Sequence, residues 1–243
     1  MLRQNDPREI SPHGEGLVKG VAVDPVIFGF HEGRLKVLII EHTNTCLYAL
    51  PGGYIQEKED LDEAAKRILT MRTGLSAVYL EQFHVFGKYD RNDAGVVRQI
   101  LIGQGFSPAE EHWSLQRFIS VGYYALVDYT RIELTPDPTT GRCEWFEFDQ
   151  IPPLILDHRL IIDKALATLR INLDQLLIGF NLLPELFTMG DLHTLYETIL
   201  DKKLLSTNFQ RKMLSLGILE RIEKKKTGKA HKAPYLYRFK STT

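Results

Sequence analysis

Cysteine is scarce in this chain. Cys46 and Cys143 are the only two in 243 residues, and neither has a second Cys or a His at ligand spacing. That favours buried thiols in a reducing cytoplasm over a disulfide or a zinc site. Also missing is any uninterrupted run of roughly 18 apolar residues, so no membrane span is expected. The first 16 residues, MLRQNDPREISPHGEG, lack the apolar stretch of a secretory signal and read as a loose polar tail. With 44% hydrophobic and 25% charged residues, the remainder has an ordinary globular balance and enough length for two modest domains.

Net charge is nearly absent too, at −1, but only because two opposite halves cancel. Residues 184–243 carry 12 Lys/Arg against 6 Asp/Glu, whereas residues 1–183 carry 18 against 25. From residue 201 onward the ratio is 12 to 3. Such a split predicts two modules, over 17–178 and 179–243, of which the second faces a polyanion.

In the first module, VKGVAVDPVIFGF (18–30) and RLKVLIIE (34–41) are rich in Val, Ile and Phe and are joined by His31-Glu32-Gly33. They predict a β-hairpin. From Asp60 to Arg72, Leu61, Ala64, Ala65, Ile68 and Leu69 recur at three- and four-residue steps, and Gly74 follows. This predicts an amphipathic helix. Further strands are expected at 78–87, 118–128 and 143–148, a long loop at 90–117, and a helix from Asp157 to about Leu169. The mixture predicts an α/β sandwich.

Gly53, Glu59 six positions on, Arg67 eight further, then Leu69, Gly74 and Leu75 resemble the Nudix box, the loop-helix-loop signature of the Nudix hydrolases. The resemblance extends over roughly residues 17–170. In that family a glutamate follows the arginine, and two more stand four and five residues beyond it. Together these acids gather divalent metal. Here those positions hold Ile68, Met71 and Arg72. The resemblance therefore implies a fold kept without its metal chemistry: no catalytic residues, no metal and no cofactor. A retained pocket is expected to bind a small effector through Gly52, Gly53, Gln56, Glu59, Tyr89, Arg91 and Tyr123, with the glycine N–H groups offered to an anion or a hydroxyl-rich ligand.

In the second module Thr188 is a candidate N-cap, and Leu192, Leu195, Tyr196, Ile199 and Leu200 line one helical face. Ser206 or Thr207 should cap a second helix, with Phe209, Met213, Leu214 and Leu216 turned inward and Gly217 ending it. Thr207, Asn208, Gln210, Arg211 and Lys212 are left outside, the arrangement of a helix-turn-helix whose second helix reads the major groove. Strand-like ILERIE (218–223) and YLYRFK (235–240) flank KKKTGKAHKAP, a basic wing. Its Lys224, Lys225, Lys226, Lys229 and Lys232 would contact phosphates.

The whole, a Nudix-like α/β/α sandwich followed by a winged helix-turn-helix domain, resembles the Nudix-related transcriptional regulators of bacteria. One branch of that family senses ADP-ribose and another senses L-arabinose; ILTMRTGL and YYALVD look nearer the second. The resemblance implies a cytoplasmic, homodimeric repressor on a palindromic double-stranded DNA operator, released or strengthened by a sugar or ADP-ribose. Two other readings stay open: a Nudix hydrolase of nucleoside diphosphate derivatives with a nucleic-acid-binding tail, and a ligand-binding or scaffold protein whose basic tail touches RNA or an acidic partner.

Overall fold

The first module is organised around one long strand. In the computed structural model, which describes residues 14–76, 78–173, 182–225 and 233–240, β1 (Leu17–His31) turns back as β2 (Arg34–His42). Register places His31 opposite Arg34, so the loop is Glu32-Gly33 alone, both at positive φ (44° and 77°). That is the two-residue turn whose twist matches the flanking strands. β6 (Ile119–Val127) runs parallel to β1, and β5 (Glu81–Phe86) pairs with β6. β3 (Tyr48–Ala49) and β7 (Thr140–Glu147) pair with β2, and β4 (Gly53–Gln56) with β1.

Strand alternation sorts the sheet's two faces. Val23, Ile27, Leu38, Val121, Tyr123 and Ala125 pack under α1 (Leu61–Thr73). Their neighbours Val26, Phe28, Phe30, Val37, Ile39 and Tyr124 pack under α3 (His158–Asn172). Helices therefore cover both sides, as the period-two pattern requires. Asp60 and Glu63 form a capping box at the start of α1, and Gly74 in the left-handed region ends it.

Several expectations need correction. The 90–117 stretch is not a plain loop. It contains α2 (Ala94–Gly103), capped by the Asp93 carboxylate, which accepts from the N–H groups of Gly95 and Val96, and then a single tight turn at Trp113–Leu115. The glycines at each end of α2 mask its short apolar face of Val96, Val97 and Ile100. The tail expected over residues 1–16 falls outside the described residues only as far as His13; Gly14 is buried against the Trp113 indole and Gly16 accepts from Glu57 N at 2.9 Å. Cys46 is exposed rather than buried.

In the second module β8 (Phe187–Thr188), β10 (Tyr235–Phe239) and β9 (Leu219–Lys224) make a three-stranded sheet in that order beside α4 (Met189–Leu200) and α5 (Ser206–Ser215). The stretch 182–188 thus ends in a strand, and residues 179–181 lie outside those described. Thr188 caps α4 as expected, its hydroxyl accepting from Asp191 N while Asp191 accepts from Thr188 N. Leu205, not Ser206 or Thr207, stands at the N-cap of α5 and makes no side-chain cap. Leu214 and Leu216 are exposed, since only Phe209 and Met213 fall on the inward stripe. No helix among the described residues is long and apolar enough to cross a membrane.

The modules share one apolar core. Ile161, Ile162, Ala165 and Leu169 of α3 cluster with Leu192, Leu195, Tyr196 and Ile199 of α4. Arg170 Nε donates to Ile199 O at 2.8 Å, Tyr196 OH donates to Leu173 O at 3.3 Å, and Thr198 Oγ1 sits 3.3 Å from Gly33 O at the hairpin tip.

Two predictions follow from this packing. Leu195→Ala should cost about 2–5 kcal/mol and lower one common calorimetric transition, rather than split off a separate melt of the second module. His42, buried at the end of β2, has its pKa pushed down to about 3 by burial and then by the Arg72 charge. Its folded value lies below the unfolded one, so the unfolded chain takes the proton first. The associated stability is present above pH 6.5 and is lost as pH falls toward 3. Between pH 7 and 5 the loss from His42 should be about 2 kcal/mol, and His42→Gln should flatten the fall in Tm over that range.

Candidate effector cavity and DNA-reading face

A cavity of about 1860 Å3 opens between the β1–β4 edge, α2 and the start of α3. It is larger than a single-ring ligand needs. The Pro51-Gly52-Gly53 loop enters its wall because glycine is required there: a Cβ on Gly52 would lie 2.0 Å from Asp24 Oδ1. Tyr54, next along, meets Trp113 edge-on at 4.6 Å and Phe118 at 6.0 Å, forming an aromatic wall. Burial, followed by the nearby Asp24 charge, pushes the Tyr54 hydroxyl up to about 12, so it stays a neutral donor.

Arg72 ends α1 inside this wall. Its Nε donates to Gly52 O at 3.2 Å, its Nη1 donates to Thr139 Oγ1, and the Asp137 carboxylate lies 3.6 Å away. Burial lowers its pKa, with Asp137 and Tyr54 opposing. On the far side of Asp24 lies Arg91, whose side chain has no exposed surface. It donates to both Asp157 oxygens at 2.8 and 3.1 Å and to Phe118 O at 3.3 Å, and sits 3.8 Å from Asp24. His158 Nδ1 accepts from Leu50 N at 2.9 Å, which holds the loop before Gly52 against α3. Two lining residues carry a buried polar atom with no hydrogen-bond partner among the described residues, His42 Nδ1 and Trp113 Nε1.

Of the expected effector-binding residues, the structure brings only Gly52 and Gly53 to the cavity. Glu59 is occupied elsewhere: its oxygens accept from Arg67 Nε and Nη2 at 2.8 and 2.6 Å and from Gln56 N at 2.7 Å. Burial would raise its pKa, but these bonds outweigh it and hold the carboxyl below its usual value. Gln56 is thereby drawn into the same loop clasp. Tyr123 lies on the α1 face of the sheet and donates to Asp62 at 2.7 Å. Tyr89 is exposed away from the cavity, and Arg91 stands behind its wall as a brace. The residues that do converge, Asp24, His42, Arg72, Trp113, Asp137 and His158, were missed. The signal available was Arg72 itself, a cation at a position the Nudix pattern reserves for acid.

The divalent metal that the Nudix box implies is not matched by these residues. Ile68 is fully buried beneath Gly53, Arg72 is cationic, and Glu59 is taken by Arg67. Glu63 is engaged in capping and Glu57 faces solvent. Among the described residues no group of three or more His, Cys, Asp or Glu could hold a metal ion.

On the second module, Thr207, Asn208, Gln210, Arg211 and Lys212 are all exposed on α5, opposite buried Phe209 and Met213. Arg211 Nη2 lies 3.3 Å from Asn208 Oδ1. Lys224 and Lys225 extend from β9, with Arg221 stacked over the Tyr235 ring at 4.5 Å and Lys224 at 5.6 Å. Lys226, Lys229 and Lys232 lie outside the described residues.

Comparisons with known proteins agree with this two-part architecture. Residues 18–169 match the NUDIX domain model, and residues 179–239 match the NrtR DNA-binding winged helix domain. The ADPR responsive transcriptional repressor NtrR of Acinetobacter baylyi is 30% identical over 90% of this chain and 81% of its own length. The crystal structure of Shewanella oneidensis NrtR complexed with a 27mer DNA superposes at a TM-score of 0.65, with 27% identity, covering 90% of this chain and 93% of that one. An ADP-ribose pyrophosphatase of Methanocaldococcus jannaschii is 26% identical over 64% of this chain and 78% of its own. The sequence-based leaning toward the arabinose-responsive branch finds no support among these relatives. The chain belongs to the NUDIX-domain family, in the form that carries an NrtR-type DNA-binding winged helix behind the Nudix fold.

Proposed function

We propose that the protein is a transcriptional repressor that binds operator DNA as a homodimer, and that its Nudix cavity binds ADP-ribose without hydrolysing it. The observation that carries this is the combination of a Nudix box without its acid triplet and an exposed polar helix α5 built onto the same core. The Acinetobacter baylyi relative, by its name ADPR responsive, supports the effector. So does a cavity lined by both the Tyr54–Trp113–Phe118 aromatic cluster and the Arg72 guanidinium.

Thr207, Asn208, Gln210 and Arg211 would read base edges, while Lys212, Lys224 and Lys225 contact phosphates. Signal passes along two elements that reach from cavity to winged helix. The β1–β2 hairpin carries His42 at one end, Asp24 midway along β1, and the Gly33 turn under Thr198 at the other end. α3 carries His158 at its start and Arg170, bonded to α4, near its end. A ligand that favours one arrangement of these elements by about 2.7 kcal/mol changes operator affinity ~100-fold.

Fluorescence anisotropy on duplex DNA from upstream of the gene's own operon, with ADP-ribose and with L-arabinose, tests this. Only ADP-ribose should shift the binding curve. Arg211→Ala should cost about 1–3 kcal/mol on operator DNA and much less on random duplex. The Lys224→Ala, Lys225→Ala double variant, which removes two phosphate contacts from each protomer of the dimer, should weaken both and reduce the log–log salt slope by about 4. Magnesium-dependent release of AMP from ADP-ribose should be absent. Its detection would favour the hydrolase, the reading that the Methanocaldococcus jannaschii likeness supports.

A further inference from the structure

Resting on the effector reading above, the geometry points to Arg72 as a built-in replacement for the divalent ion: it binds the effector's diphosphate directly, and capture needs no metal. The charge balance at the box favours this. Relative to the Nudix pattern, Ile68, Met71 and Arg72 remove three carboxylates and add one guanidinium. The local charge rises by four units, as much as a pair of divalent ions would bring.

Three acids line the same cavity; Glu15 is exposed to solvent, and the two buried ones are already matched. Asp137 faces Arg72 at 3.6 Å, and Asp24 faces Arg91 at 3.8 Å and receives the Ser120 hydroxyl. Neither is left over for a cation. Arg72, by contrast, has capacity to spare. Its Nε and Nη1 are used, while its Nη2 has no hydrogen-bond partner among the described residues. The N–H groups of Nη2 remain to donate to phosphate oxygens, at fixed angles that a hydrated ion does not impose.

Desolvation adds a reason for an anion. The Arg72 side chain is only 7% exposed, and one carboxylate at 3.6 Å compensates a buried charge incompletely. A diphosphate arriving beside it would restore part of the lost solvation.

Calorimetric titration of the full chain with ADP-ribose, in magnesium and in EDTA, tests the inference. Dissociation constants should agree within about threefold, and Arg72→Gln should weaken binding at least ~tenfold in both buffers. Arg72→Lys, which keeps the charge and loses the fork, should fall between the two and remain metal-independent. It serves where the glutamine variant does not fold. A wild-type affinity that drops tenfold or more in EDTA overturns the inference, as does undiminished binding by Arg72→Gln. If the wild type takes up no ADP-ribose in either buffer, the effector reading fails instead. ADP and inorganic pyrophosphate then decide the role of Arg72: metal-free binding lost in Arg72→Gln supports it, and no binding of either overturns it.

Discussion

A guanidinium with no exposed surface holds the sensing module together. Arg91 binds the Asp157 carboxylate before α3, approaches Asp24 on β1, donates to the Phe118 carbonyl before β6, and lies 4.6 Å above the Phe118 ring. A buried charge is tolerated only when its donors are met, and removing one partner from such a set costs several kcal/mol. Those partners come from three separate segments, so the charge ties the middle of β1 and the starts of β6 and α3 to one point. The cavity wall is built outward from there: Asp24 is fixed by Arg91, Gly52 is forced close to Asp24, and Arg72 reaches the Gly52 carbonyl.

This anchoring explains how the Nudix loop can keep its shape with its metal-binding positions replaced. In the pattern the family shares, charges on the helix and the ion would draw loop and helix together. Here the loop is clasped from one side by Glu59, Arg67 and the Gln56 N–H, and from the other by Arg72. Ile68 fills the space below Gly53 with methyl groups. Hydrogen bonds and packing replace ionic attraction, and the loop–helix–loop geometry is preserved.

Elements with strong local signals were legible in the sequence. The β1–β2 hairpin, α1 with Gly74, the Thr188 cap and the inward Phe209 and Met213 all follow from periodicity and turn chemistry. What stayed hidden depends on contacts between distant segments. α2 has glycines at both ends and a brief apolar face, so it resembles a loop until the body it packs on is present. Gln56, Glu59, Tyr89 and Tyr123 look like binding residues by type. The structure assigns Glu59 to a local clasp and Tyr123 to Asp62, partners eight and 61 positions away. The cavity's own residues, Asp24, His42, Arg72, Trp113, Asp137 and His158, come from six stretches that no spacing connects. Leu205 and Leu214 break the apolar periodicity because α5 presents only a narrow stripe to the core.

The seam between α3 and α4 has a consequence for how such a molecule changes over time. Ile161, Ile162, Ala165 and Leu169 bury themselves against Leu192, Leu195, Tyr196 and Ile199, with Arg170 and Tyr196 bonding across. Neither half is a portable cassette. A sensing fold moved onto a different DNA-reading head would expose this stripe unless the new head brought matching side chains. New operators are therefore most accessible through changes on the outward face of α5, and new effectors through changes on the cavity wall, with the seam between them held constant.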